Sequence, residues 1–431
     1  MVGRVSILAG IIECGAEFLP TRTLPLMLVS VVLLLAPGNS ADAADCGDKA
    51  GPGNSRVACA CGDTVVTNVR LKPNDPVVAN VCVDDGLIVG ADDIVIDCSG
   101  RTIAGSATGT GILALGRTVT GVTVKKCLVT GFRDGISFAS ASHENSIISN
   151  EIVGNVRLGV FIGAFGEDPI PGDGFGNVVS KNTISGSSFN VVSQFTSSAE
   201  ISRNVLSNAG SDAFRGFDSA GQMIFSNTIQ GSGLRGIHGF LMTDSTIEKN
   251  DVSGCNTEGI LLEVGSHRNL VKGNVLTGNG LVGIPSNGIF STFALKVGSE
   301  GAISSDFNVV TGNELADNGR GILVIEANDN EISGNTVSNG DRLGMLLVGK
   351  LYTFGLFDGT GNVFSNNTVK GLDIADFFDN LAVLLPFMGI LDADNTFDEL
   401  VSVQFRQPAA LIAAVEKKEG SPGTQALTSG R

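Results

Sequence analysis

Apolar and polar positions in the stretch from Asn145 to Ile374 recur about every 23 residues. One copy sets Ile247 and Val252 around Asn250 and then runs Gly259-Ile260-Leu-Leu262; another sets Ile332 and Val337 around Asn335, followed by Gly344-Met345-Leu-Leu347. A third has Met223-Ile224, Asn227-Thr-Ile229 and Gly236-Ile237. The central asparagine falls at Asn150, Asn182, Asn204, Asn227, Asn250, Asn274, Asn313, Asn335 and Asn367, at intervals of 32, 22, 23, 23, 24, 39, 22 and 32. One basic period therefore carries three insertions. Each copy holds three short runs of alternating, β-branched-rich residues punctuated by Gly, Asn and Ser, too short for helices. A turn of this length is also too short for a helical hairpin repeat.

Three short strands per turn, stacked on the next turn, predict an all-β chain: a single-stranded parallel β-helix with inward Ile, Val and Leu. Ile147, Ile152, Ile184, Ile229, Ile247, Val252, Ile260, Ile332 and Val337 are its expected core. The recurrent Asn is expected at a corner, tolerating a left-handed backbone and bonding to the Asn one coil above and below, because buried amides must be paired. The Gly before the Ile of the third strand is expected to supply a second corner with positive φ.

The Asn-x-Ile/Val…Gly-Ile-x-Ile/Val rungs, and the lead-in Cys61-Gly-Asp-Thr through Gly86-Leu-Ile-Val-Gly-Ala-Asp-Asp to Arg101-Thr-Ile103, resemble the right-handed parallel β-helix proteins of the pectin-lyase-like class with an asparagine ladder. The resemblance covers Cys61 to at least Ile374. It implies a right-handed solenoid with a disulfide-rich N-terminal cap and an irregular C-terminal cap. The class spans lyases, glycosidases, uronate epimerases, phage adhesins and proteins without known activity, so chemistry must come from particular residues.

The chain divides accordingly. Residues 1–43 read as a signal peptide, with an apolar run from Leu24 to Ala36 and the small-residue exit Ala41-Asp-Ala43; an uncleaved N-terminal anchor is the alternative. Residues 44–60 read as a linker and 61–408 as the β-helix with its caps, regular over about 122–374. Residues 409–431 read as a short helix and a disordered tail. Six cysteines crowd the first coils, as in an oxidised cap. Among them Cys61, Cys82, Cys98 and Cys127 are the candidate disulfide residues; Cys98–Cys127 would join adjacent rungs within disulfide reach. A zinc site lacks a CxxC pair and a nearby histidine. Cys255 is expected to pack as a small hydrophobe. The mature chain has no expected membrane span, and its place is secreted, periplasmic or on the cell surface.

The net charge of −16 argues against a nucleic-acid partner and against an anionic membrane surface. It also makes a strongly anionic polymer awkward without cations. Trp is absent and Tyr352 is the only tyrosine, so any stacking platform for sugar rings must come from the 23 phenylalanines.

All three insertions, about Gly163–Gly176, Pro285–Phe307 and Gly349–Thr360, fall at one phase, after the Gly-Ile-x-Ile strand and before the next Asn. Inserted loops on one face of a repeat array usually wall a binding surface. On the strand face between them, alternation turns Phe161, Ser193, Arg215, His238 and Leu261 outward in one row, and Phe195, Phe217, Phe240 and Glu263 in another. Arg215 and His238 become vertical neighbours, with Asp212, Asp218, Asp244, Glu258 and Glu263 near. Arg215, His238 and Glu263 are the candidate catalytic set, because a base beside carboxylates suits proton abstraction next to a uronate or glycoside hydrolysis. Phe161, Asp218, Phe240 and Glu258 are the candidate substrate-binding set. The plain alternative is that these charges solvate an exposed strand face.

Other chemistry is less supported. Gly236-Ile-His-Gly239 is similar only in part to the Gly-His-Gly of polygalacturonases, whose other motifs are missing, and the Asp-Pro-His-Asp of alginate epimerases is absent. Glu167, Asp168 and Asp173 could offer calcium oxygens without an EF-hand spacing; no other cofactor or metal is expected. Proteins that mature nitrous-oxide reductase use similar repeats, but three histidines and six methionines, none clustered, speak against copper. The leading expectation is an exported protein that binds an extended polysaccharide and, if an enzyme, processes it as a lyase, epimerase or glycosidase; the rival is a non-catalytic structural or adhesive surface protein.

Overall fold

The computed structural model describes residues 44–114, 118–139, 141–164, 174–280, 295–298, 304–325, 327–339, 343–348, 362–372, 396–398 and 401–405. They form a parallel β-solenoid of about 11 turns. One strand column, here called face A, runs from Asp63–Val65 and Leu87–Val89 through Leu158–Gly163, Phe189–Gln194, Phe214–Ala220, Ile237–Thr243, Ile260–Glu263 and Leu295–Gly298 to Leu343–Val348. Two further columns of three-residue strands complete each coil, exemplified by Thr246–Glu248 and Asp251–Ser253. Their register is strict: Ile247 pairs with Ile224 below and Val271 above, and Val252 with Ile229 and Leu276. The expected core residues, from Ile147 to Val337, are all buried at 2 % exposure or less.

The asparagines pair as a ladder. The backbone N–H of Asn227 and its Nδ2 both donate to Asn250 Oδ1, at 3.0 and 2.9 Å. Asn250 repeats this toward Asn274 Oδ1 and also gives its Nδ2 to the Ile224 carbonyl. Each amide is thereby saturated from both sides in a place closed to water. The ladder is not single. Asn145, Asn150 and Asn155 start three columns five residues apart, one per corner, and Asn308, Asn313 and Asn318 continue them. In the coils between, the outer columns change residue: one passes through Ala199, Gln222 and Ser245, the other through Ser187, Ala209, Ser232 and Cys255, while the middle column stays Asn throughout.

Two corner expectations are corrected. The left-handed residue is the one before the ladder Asn, as at Ser149 (φ 57°), Lys181 (59°) and Lys249 (54°), so Asn is selected for its amide and not for its backbone. Gly236 and Gly259 do not have positive φ. Glycine is required there by closeness: a Cβ at Gly236 would strike the Val252 side chain and the Gly259 carbonyl oxygen. Gly236→Ala should therefore cost about 1–3 kcal/mol in urea melts, since a backbone neighbour cannot yield. At Gly210, where a Cβ would meet Ser188 only at ordinary contact distance, Ala should be tolerated.

Residues 44–60, expected as a linker, instead build the cap. Asp45–Gly51 turns back on Ser55–Val57 in an antiparallel hairpin and pairs in parallel with Asp63–Val65, the first rung of face A. A short hairpin is what covers a sheet edge that would otherwise template another chain. Disulfides Cys46–Cys59, Cys61–Cys82 and Cys98–Cys127 tie the cap and first coils, the last across adjacent rungs with Cα atoms 4.7 Å apart. Cys255 is free and buried, in a corner column where Asn stands elsewhere. At the far end Val401–Phe405 pairs with Thr368–Leu372. The signal segment 1–43, the apolar run Leu381–Leu391 and the expected helix and tail of 409–431 lie outside the described residues.

The insertions do not share one phase. The first and third follow face A strands, leaving Gly163 and Val348 before the corners at Asn177 and Asn362. The main part of the second precedes its strand: Ile260 pairs with Leu295, and Leu295 with Ile322, so face A in that coil is Leu295–Gly298. The Gly-Ile pair at Gly283-Ile284 mimics the repeat and misplaces it by about half an insertion.

Candidate functional site

Face A carries three outward rows over the coils of Phe189 to Glu263. The row at the foot of the strands reads Phe189, Asp212, Arg235, Glu258, each one residue before the close-packed Gly or its equivalent. The middle row reads Phe161, Val192, Arg215, His238, Leu261, Lys296, and the upper row Gln194, Phe217, Phe240, Glu263. Val192 and Gln194 thus replace the expected Ser193 and Phe195. A corner after Gln194 moves Phe195 to a left-handed position (φ 52°), and Ser193 turns inward to Thr196 and Gln222.

The charged side chains do not solvate an open strand face. Asp212, His238, Glu258 and Glu263 are 0, 2, 3 and 8 % exposed. They interlock diagonally: Asp212 Oδ2 lies 3.0 Å from His238 Nδ1, and Glu263 Oε1 lies 2.8 Å from Nε2. One hydrogen-bonded chain therefore spans three successive coils. Each ring nitrogen of His238 thus faces one carboxylate oxygen, and an N–H on that nitrogen would donate to it. Arg235 sits between Asp212 and Glu258 at 3.7 and 3.6 Å, an alternation of charge along the foot row. Burial pushes the Glu263 carboxyl up, but the His238 hydrogen bond and the charges of His238, Arg235 and Lys296 outweigh it and hold it at about 2. Asp212 is lowered by the same contest, burial being opposed by His238, Arg235 and Arg215.

Around this closed chain lies a half-exposed border. Phe217 and Phe240 stack with centroids 5.1 Å apart and planes 5° from parallel, and Phe195 meets Phe217 edge-on at 5.6 Å. Parallel rings at that separation are offset, which leaves part of each face open. Phe240 also sets its edge toward His238, with ring centroids 6.3 Å apart. The Arg215 guanidinium rests 5.5 Å above the Phe189 ring. Asp218, half-buried after Phe217, has its carboxyl pushed up by burial.

Of the residues singled out from sequence, His238 and Glu263 touch, and Arg215 is the register neighbour of His238. Phe240 and Asp218 line the half-exposed border, whereas Glu258 is buried against Arg235. Phe161 is 1 % exposed and packs with Ala139, Leu158 and Val192 in a second apolar cluster outside the solenoid core, so it offers no platform. Arg235 and Lys296 were missed. The first was legible, because Asp212, Arg235 and Glu258 stand 23 residues apart at one repeat position. Lys296 was hidden by the misplaced insertion. His143 stacks on Phe175, and His267 Nδ1 accepts the Asp306 N–H, which leaves both as corner residues. Glu167, Asp168 and Asp173 lie outside the described residues.

Residues 94–283, fewer than half of the chain, match the family model described as periplasmic copper-binding protein (NosD). No curated protein matches. The periplasmic alginate epimerase AlgG is 12 % identical, with 80 % of this chain and 85 % of that chain covered at a TM-score of 0.51. The tailspike protein of E. coli bacteriophage HK620, solved with a pentasaccharide, is 10 % identical over 84 % and 78 %, at 0.48. PfbA, a surface adhesin of Streptococcus pneumoniae, is 11 % identical over 73 % and 82 %, at 0.46. The described residues do not fit the copper in the NosD description. No group of three or more His, Cys, Asp or Glu side chains among them converges on a metal position. Both His238 nitrogens are engaged, and burial pushes the Cys255 thiol up to about 11. No helix among them is long and apolar enough to cross a membrane. With its parallel register and stacked asparagine columns, the chain has the fold of a right-handed parallel β-helix with asparagine ladders.

Proposed function

We propose that this is an exported protein that binds an extended polysaccharide along the outer surface of face A. The observation that carries the reading is the half-exposed aromatic strip in which Phe217 and Phe240 stack on successive coils, with Phe195 edge-on from a corner, beside Arg215 and Asp218. Apolar ring faces flanked by hydrogen-bonding groups suit the mixed apolar and hydroxyl surface of a sugar chain. Export is supported by three disulfides, which persist in oxidising compartments, and by the word periplasmic in the matching family's description.

Binding without turnover is the form of this reading that the site favours. Turnover at Arg215, His238 and Glu263 requires a ring nitrogen free to take a proton, and both are engaged in a buried chain. Glu263, held at about 2, is an ionised acceptor and not an acid at neutral pH. His238 instead supports the floor on which Phe240 rests.

A glycan array, followed by pull-down on cell-wall polysaccharides, tests the proposal. Phe240→Ala should lose at least tenfold in affinity and keep the wild-type melting curve, because the ring is half-exposed. Binding to no glycan by a folded protein would sink the reading. Unsaturated or reducing-end products formed by wild type and lost in His238→Gln would replace it with an enzymatic one.

A further inference from the structure

We infer that hydrolysis of the Ala43–Ala44 peptide bond creates a functional part of the cap: a free α-ammonium on Ala44 that pairs with the buried carboxylate of Asp63. The Ala44 nitrogen already lies 3.1 Å from Asp63 Oδ1. Asp63 is only 8 % exposed, and its Oδ2 accepts the Ala60 N–H at 2.7 Å. The Ala44 carbonyl accepts the Thr64 N–H, and the next residues, Asp45 and Cys46, enter the first rung opposite Thr64 and Val65. Cys46 is then fixed by its disulfide to Cys59. The residue whose nitrogen meets this buried acid is itself exposed.

The sequence places a cut at the same bond. Ala41 and Ala43 set small residues three and one before Ala44, behind an apolar run of signal-peptide length. A peptidase selecting such residues uses water: the hydroxide part joins the Ala43 carbonyl carbon, the C–N bond breaks, and the Ala44 nitrogen leaves as an ammonium. An uncut chain offers Asp63 one neutral N–H. A cut chain offers a positive charge, which strengthens a hydrogen bond to a carboxylate. Cleavage would then lock the first strand onto the solenoid as well as release the chain. The cut rests on the export reading, but the pairing does not.

The test has two arms. The exported full-length chain is examined by intact mass and N-terminal sequencing, with Ala44 expected as the first residue. Separately, oxidised chains starting at Ala44 or retaining Ala41-Asp-Ala43 are melted side by side. The Ala44 chain should melt a few degrees higher at pH 6.5. Pairing raises the α-amino pKa above its unfolded value near 7.7–8.0, so the advantage is full below that value and fades as pH rises through the folded one. Asp63→Asn, which removes the charge and keeps one of the two acceptor oxygens, should erase the difference. Cleavage at another bond, or an exported chain left uncut, overturns the processing site. Equal melting of the two chains at pH 6.5 overturns the ion pair, and neither result touches the polysaccharide reading.

Discussion

Asn250→Leu should destabilise the solenoid by on the order of 3–6 kcal/mol, far more than a near-isosteric change warrants. The substitution orphans the Asn227 backbone N–H and Nδ2, which both donate to Asn250 Oδ1, and the Ile224 carbonyl, which accepts from Asn250 Nδ2. Each buried orphan costs roughly 1–3 kcal/mol. Because coils contact only their neighbours, the loss should also be local, with faster hydrogen exchange at the Asn227 and Thr228 amides than at distant rungs. Asp251→Ala, one residue on and exposed, should change neither readout. Wild-type stability in Asn250→Leu would mean that the ladder does not carry load.

The second large effect belongs to His238. Removing the imidazole strips Asp212 and Glu263 of the ring nitrogens they face, and breaking such a buried bridge costs roughly 3–5 kcal/mol. His238→Ala should therefore melt well below wild type, although the side chain faces away from the solenoid core. The pH dependence gives a sharper signature. Glu263 is lowered from 4.5 to about 2, so its contribution is present above 4.5 and lost as pH falls toward 2. Asp212 is shifted in the same direction. Wild type should thus lose stability in acid, by on the order of 3 kcal/mol for Glu263 alone. His238→Ala should behave oppositely between pH 7 and 4, recovering part of its loss as protonation relieves the stranded carboxylates. Parallel acid limbs for the two proteins would rule out the bridge.

The repeat was legible because every coil must solve the same packing problem. Ile247, Val252 and Ile260 point inward in each copy, and the middle corner needs an amide in each, so period and core could be read directly. The outer corner columns were harder, because Gln222, Ser232 and Cys255 occupy asparagine positions with different side chains. Outward direction was legible by alternation, which put Arg215, His238 and Glu263 on one surface. Burial was not, since alternation separates inside from outside but does not say whether an outer row is covered. That is why His238 reads as a solvent-facing base in sequence and stands as a closed bridge in the fold. The second insertion misled for a local reason: Gly283-Ile284 imitates the strand signal, while the true rung at Leu295 lacks the preceding glycine.

The decisive measurement is calorimetric titration of wild type and Phe217→Ala with fragments of whichever polysaccharide the array selects, from disaccharide to long oligomers. A binding strip that crosses successive coils predicts affinity rising with fragment length to a plateau, and a shallower rise to a weaker plateau in Phe217→Ala with unchanged melting. Length-independent affinity, or identical curves for the two proteins, would contradict polysaccharide binding along face A.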